Sequence, residues 1–202
     1  MMRKAALAIF ALALAACGQP ADDAQQAEGR RDTSSAPAVA SLAISPNGAA
    51  GITTALPMNA AAVRAAAPHF TVEEVADQVE GDPFTAITLS LDGAEVFRIY
   101  PSPERTYVHA ISTRSTQARG PAADVIGEAR FAAAPPDQVT FCINEYVDGA
   151  PGFACSTAAD GRFWRIYKLP EEYTEAAASF EEIDPDVLHD AMLAEMRWIA
   201  PR

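Results

Sequence analysis

The sequence predicts an α+β domain: a mainly antiparallel sheet with a short N-terminal helix and a C-terminal helix packed on it. Three observations carry this. Short runs of β-branched and aromatic residues recur between Phe70 and Ile199, separated by Gly, Pro and Asp. Asp92-Gly93 lies between two such runs, and both positions of a two-residue hairpin turn favour positive φ. Near the end, Asp184-Pro185 opens a helical stripe that is followed by one more apolar run.

Ahead of that domain the chain begins differently. Arg3 and Lys4 precede a run from Ala5 to Ala16 with no charged or polar side chain. About twelve apolar residues are too few for a bilayer core, which needs roughly 20, and suit the hydrophobic region of a signal peptide. Leu14-Ala15-Ala16-Cys17 resembles the lipobox of bacterial lipoproteins. That resemblance implies removal of residues 1–16 and acylation of Cys17, which becomes the mature N-terminus. Two or more acyl chains give stable anchoring, at about 0.8 kcal/mol per buried methylene. Gly18 follows the cysteine in place of Asp. By the sorting rule of enteric bacteria this implies the outer membrane, with the domain facing the periplasm.

Residues 17–40 read as a lipidated tether. From Gly18 onwards the stretch has no aromatic residue, Leu, Ile or Met, so it cannot bury enough apolar surface to offset the entropy of ordering. Fully stretched it reaches about 80 Å. Residues 41–202 read as a single domain long enough for a real core. The chain carries a formal charge of −12, which becomes −14 once Arg3 and Lys4 are removed with the leader. An acidic protein with no basic patch excludes nucleic acid as a partner. It leaves a basic protein or another envelope component as a possible partner, and it makes the acyl chains the source of membrane affinity.

Within the domain, Asn59 caps a helix over Ala60–Ala67 that Pro68 ends. A strand begins at Phe70–Val72. Phe84–Leu91 and Ala94–Tyr100 flank the Asp92-Gly93 turn. A strict two-residue turn opposes Leu89 to Val96, which sends Phe97 and Ile99 to the other face. Either both faces are covered or a bulge resets the register; cover on both faces is the expectation. Thr106–Thr113 forms another strand, with Tyr107, His109 and Ile111 on one face. Gln138–Ile143, Phe153–Ser156 and the aromatic-rich Arg162–Leu169 follow. Asp184 caps the last helix, Pro185 suits its first turn and Asp186 complements its dipole. Val187, Leu188, Ala191 and Met192 form its stripe, and Met196–Ile199 closes the sheet.

Three cysteines leave an odd one in an oxidising compartment. With Cys17 acylated, Cys142 and Cys155 remain as a natural disulfide pair, contributing roughly 3 kcal/mol for so short a loop.

This arrangement resembles a family of small bacterial lipoproteins of unknown function regulated by the envelope-stress sigma factor RpoE. The residues that carry the likeness are Ile44-Ser45-Pro46-x-Gly48-x-x-Gly51-Ile52, the Pro68-His69-Phe70 turn, the Asp92-Gly93 hairpin ending in Tyr100-Pro101, the paired Cys142 and Cys155, and Arg197-Trp198-x-x-Pro201. The resemblance implies an envelope-facing α+β domain with no established catalytic residues.

The residues themselves name no chemistry. His69, His109 and His189 have no metal-ligand spacing, and adjacent helix positions keep His189 and Asp190 from forming a dyad. No Gly-x-Ser-x-Gly elbow occurs, and the glycines from Gly120 to Gly127 lack the lysine of a phosphate loop. Neither a metal nor a cofactor is expected. The densest charge runs through Glu171, Glu172, Glu175, Glu181 and Glu182 to Asp184 and Asp186. This is a candidate docking surface for a basic partner; no EF-hand ordering supports calcium. The function expected is a non-catalytic lipoprotein that binds an envelope component or supports envelope maintenance. Two alternatives are an inhibitor of a basic cell-wall hydrolase such as lysozyme and an enzyme acting on lipid or glycan. The Ser-Gly-x-x-Tyr motif of one lipoprotein inhibitor class is missing.

Overall fold

Asn59 opens the first helix as its chemistry requires: its side-chain oxygen accepts from the amide of Ala62 at 2.9 Å. The helix, α1, runs over Ala60–Ala66, and Val63 is its buried residue. In the computed structural model the residues described are 40–173 and 179–201. The leader, Cys17, the tether up to residue 39 and Glu175 lie outside them.

Before α1, β1 (Ile44–Ser45) and β2 (Gly48–Ala49) pair as a small antiparallel hairpin. After it come β3 (Thr71–Val79), β4 (Asp82–Leu91), β5 (Ala94–Pro101), β6 (Val108–Thr113), β7 (Phe141–Val147), β8 (Ala150–Ser156), β9 (Phe163–Lys168), α2 (Pro185–Asp190) and β10 (Met192–Ile199). β3 to β10 form one eight-stranded antiparallel sheet in the order β3-β4-β5-β6-β10-β9-β8-β7. Two meanders, β3–β6 and β7–β9, are thus joined into one sheet by the last strand, which pairs with β6 on one side and β9 on the other. The predicted α+β architecture is the one observed.

The register sorts the side chains into two ladders. Ile87, Ile99, Ile111, Trp198 and Phe163 lie opposite one another across five strands, and all are buried. One residue along, Thr88, Arg98, Ser112, Arg197 and Trp164 form the parallel ladder on the other face. The apolar ladder joins Val63, Phe70, Phe97 and Leu193 in the main core. The alternation of period two therefore separates an apolar core face from a polar face across the middle of the sheet.

Four sequence expectations need correction. The Asp92-Gly93 turn forms, with φ of 52° and 80°, but a bulge follows it. Ser90 opposes Glu95 whereas Leu89 opposes Phe97, so Val96 is the extra residue. Val96 and Phe97 both enter the core, 1% and 0% exposed. Burial of two large side chains outweighs one lost ladder position. A second bulge, between Tyr100–Ala110 and Pro101–Val108, breaks the supposed common face of Tyr107, His109 and Ile111. Val108 and Ile111 go to the core instead. The β7–β8 connection is also shorter than expected. Asp148-Gly149, with φ of 53° and 77°, makes a second two-residue turn, so β7 extends to Val147 and begins only at Phe141. Finally, α2 stops at Asp190. The carbonyl of Ala191 is captured by the amide of Phe131 at 2.9 Å, and the amide of Leu193 by the carbonyl of Ala129 at 2.8 Å. These contacts draw Met192 into β10 instead of the helix, while Val187 and Leu188 do pack on the core.

Cys142 and Cys155 are bonded, and they lie directly opposite in the β7–β8 pairing. Behind them Arg165 is 1% exposed. Its guanidinium meets Asp124 Oδ2 at 2.9–3.0 Å and Gln138 Oε1 at 2.7 Å, and it lies over the Phe163 ring at 4.9 Å. This buried pair fastens the long β6–β7 connection to the sheet.

A polar cavity on the solvent-facing side of the sheet

The polar ladder leads to the richest group of side chains in the domain. Arg98 on β5 makes a two-pronged contact with Glu95, Nε to Oε1 and Nη2 to Oε2, both at 2.9 Å, and a third with Asp77 of β3 at 2.9 Å. Arg98 and Glu95 reach each other because they flank the Val96 bulge on the same strand, which brings them to one face. Arg114, at the end of β6, donates Nε to Glu195 Oε2 at 2.9 Å and Nη1 to Asp148. Arg197 donates to Glu195 Oε1 at 2.8–3.0 Å, with Glu145 at 3.8 Å.

Glu195 has its side chain 5% exposed and is shared by two arginines. A bulge between Leu193 and Glu195 puts it there. In a regular strand, with Ala194 paired in its turn, Glu195 would take the face of Leu193 and point into the core.

Beside Arg98 and Arg114 lies a cavity of about 450 Å³, lined among others by Asp77, Glu95, Arg98, Tyr100, Ser112 and Arg114. Burial pushes the Tyr100 phenol above its ordinary 10.0, against the opposing hydrogen bond from Ser112. The Arg98 guanidinium is held above its ordinary value, chiefly by Glu95, with burial acting against it and Asp77 adding to the rise. For Arg114 burial acts to lower the value, and Glu195 and Asp148 together outweigh it. All three groups therefore keep their neutral-pH charge state. Tyr100 also forms one wall of a second, more apolar hollow of about 420 Å³ with Val79, Phe84, Ser102 and His109.

The acidic segment picked out from sequence is less organised. Glu171 is 91% exposed and 3.7 Å from Lys168. Glu172 lines a shallow hollow with Tyr173, Asp186 and Val187. Glu181 and Glu182 sit on an exposed single turn over Phe180–Glu182. No group of three His, Cys, Asp or Glu side chains able to hold a metal ion is found among the described residues. His189 and Asp190 do approach, at 3.4 Å, but both are well exposed, so the contact is long and screened. His69 is exposed and His109 half-buried.

Sequence reasoning missed Arg98, Arg114, Glu195 and Arg197. The signal available was charge inside strands: Glu195-x-Arg197 has the same-face spacing of a strand, and Glu95-x-x-Arg98 acquires it through one bulge.

No protein-family profile matches the chain, and no curated protein sequence matches it. A solved structure does: the crystal structure of the uncharacterized protein yfeY from Escherichia coli. It superposes with a TM-score of 0.55 at 13% identity, covering 77% of this chain and 98% of that one. At that identity the likeness shows the fold alone.

Proposed function

We propose that this chain is a lipoprotein anchored in the outer membrane through Cys17, whose domain uses the polar face of its sheet to bind a component of the envelope without chemically altering it. The observation that carries the binding role is the cavity itself. Its polar walls are fixed before any ligand arrives, because Arg98 and Arg114 are each held by two carboxylates. Prior organisation of this kind lowers the ordering cost of binding. The non-catalytic part of the reading is supported by the same pairing: Asp77, Glu95, Glu145, Asp148 and Glu195 all lie against an arginine. A general acid or base must be within hydrogen-bond reach of the substrate proton, and these carboxylates are turned to the arginines. The anchor is supported by the lipobox and by the resemblance to RpoE-regulated lipoproteins. No helix among the described residues is long and apolar enough to cross a membrane.

A photo-crosslinking amino acid at Ser115, which lines the cavity, tests this in intact cells. A discrete adduct is expected, weakened by Cys17→Ala, which releases the protein, and lost with Tyr100→Ala. Absence of any adduct from a folded, lipidated protein overturns the binding role. An adduct indifferent to Cys17→Ala overturns the anchored one.

A further inference from the structure

We propose that the ligand of the Arg98–Tyr100–Arg114 cavity is an uncharged polyhydroxylated molecule, a saccharide, and that charged ligands of either sign are disfavoured there; this rests on the binding role argued above. Hydrogen-bond capacity decides it. A guanidinium has five N–H donors. Arg98 spends three of them on Glu95 and Asp77, and Arg114 two on Glu195 and Asp148. Five N–H groups therefore remain for water or a ligand. On the other side, each carboxylate offers about four lone-pair sites and uses only some of them on these arginines. Asp77 adds one backbone bond, from the amide of Gln78 at 2.8 Å. The hydroxyls of Tyr100, Ser112 and Ser115 lie in the same walls.

The cavity thus offers spare donors and spare acceptors side by side. An anion would satisfy the donors but confront the carboxylates of Asp77 and Glu95 in the walls, and it would meet an Arg114 already bonded to Glu195 and Asp148. An ammonium would satisfy the acceptors and leave the arginine N–H groups facing a positive charge. A hydroxyl gives and accepts at once, so a row of hydroxyls matches both sets without unpaired charge. Two further features agree. The volume, about 450 Å³, falls within the range of small-molecule sites, about 300–1,000 Å³. The Tyr100 ring, half-buried and shared with the more apolar hollow of Phe84 and His109, supplies a flat apolar surface for the C–H face of a pyranose ring. Because the charges are already paired within the protein, binding of a neutral ligand is insensitive to salt.

The test is an amide NMR titration of the full purified chain. The probes are cellobiose and the N-acetylglucosamine disaccharide as neutral sugars, glucuronate as anion, and 1,4-diaminobutane as cation. At least one neutral disaccharide is expected to shift the amides of Val96, Tyr100 and Ser112–Ser115, with little change on adding salt. Tyr100→Ala and, separately, the milder Arg98→Lys are expected to weaken it by about ten-fold, the loss of one good contact. Binding of glucuronate or the diamine in preference to both sugars overturns the proposal, as does the absence of a shift with either sugar. If the Ser115 adduct persists in cells while neither sugar binds, the binding role stands and the saccharide assignment falls. If both fail, both fall.

Discussion

At the scale of the residue, two arginine clusters on opposite faces of one sheet do different things. Arg98, Arg114 and Arg197 are part-exposed and keep unused donors, so their pairing orients groups that a ligand can still reach. Arg165 is closed in by Asp124, Gln138 and the Phe163 ring. Its charge is fully desolvated, so losing a partner leaves an uncompensated ion in the core. Asp124→Asn is expected to lower unfolding stability by about 3 kcal/mol, measured as a shift of the urea midpoint. Replacing both members together, Arg165→Met with Asp124→Leu, is expected to cost far less than the single change, because no charge is then stranded. A double variant less stable than Asp124→Asn would show that the pair acts through shape, not charge. Little of this was legible in advance. Arg165 sits in an aromatic run that reads simply as strand, and its partner lies 41 positions away in sequence, a distance that no local pattern spans. The Asn59 cap needed no partner beyond the next few residues, and it was legible for that reason.

At the scale of the element, a turn carries a local signal and a bulge does not, although the expected β7–β8 connection passed over the signal at Asp148-Gly149. Asp92-Gly93 announces itself, and Asp148-Gly149 carries the same signal and makes the same turn. A bulge, by contrast, is decided by what both strands bury. Only the conflict among Leu89, Val96 and Phe97 hinted at one, and the choice between a bulge and two covered faces depended on packing that a single strand does not encode. The polar cavity owes its walls to such bulges, at Val96 and at Ala194, which is why the site was less visible than the strands that build it. The disulfide lies at the same scale. β7 is an edge strand, bonded on one side only to β8, and Cys142–Cys155 ties the two where they oppose each other. Closing a loop of sequence separation 13 stabilises by about 3 kcal/mol through the unfolded chain. Cys142→Ser with Cys155→Ser is expected to lower the melting temperature and to open β7 first, read as faster amide exchange at Phe141–Val147 than at β5. Uniform acceleration across the sheet would instead make the bond a global clamp with no special hold on the edge.

At the scale of the whole molecule, the order of the strands makes the end of the chain the keystone. β10 lies between β6 and β9, with Met196 opposite Thr113 on one side and Arg165 on the other. It contributes Leu193, Met196 and Trp198 to the core, none more than 1% exposed, and it also supplies Glu195 and Arg197 to the polar face. The two meanders form from local hairpins, but their union waits for a strand whose β6 partners lie 83 to 89 residues earlier, from Met196–Thr113 to Ile199–Ala110. Pairing of such long range is slow and cooperative. A chain ending at Asp190 is therefore expected to keep hairpin secondary structure yet lose the fixed environment of its remaining aromatic residues. Far-ultraviolet circular dichroism would persist in part, the near-ultraviolet signal would collapse, and the cooperative melt would vanish. Adding back a peptide spanning 191–202 should restore the near-ultraviolet signal, because the gap it fills has hydrogen-bonding strands on both sides. A truncated chain that still melts cooperatively would mean that β6 and β9 can join directly. In that case the sheet would close without the strand that carries Glu195, and the arginine network would depend on β10 for its chemistry alone.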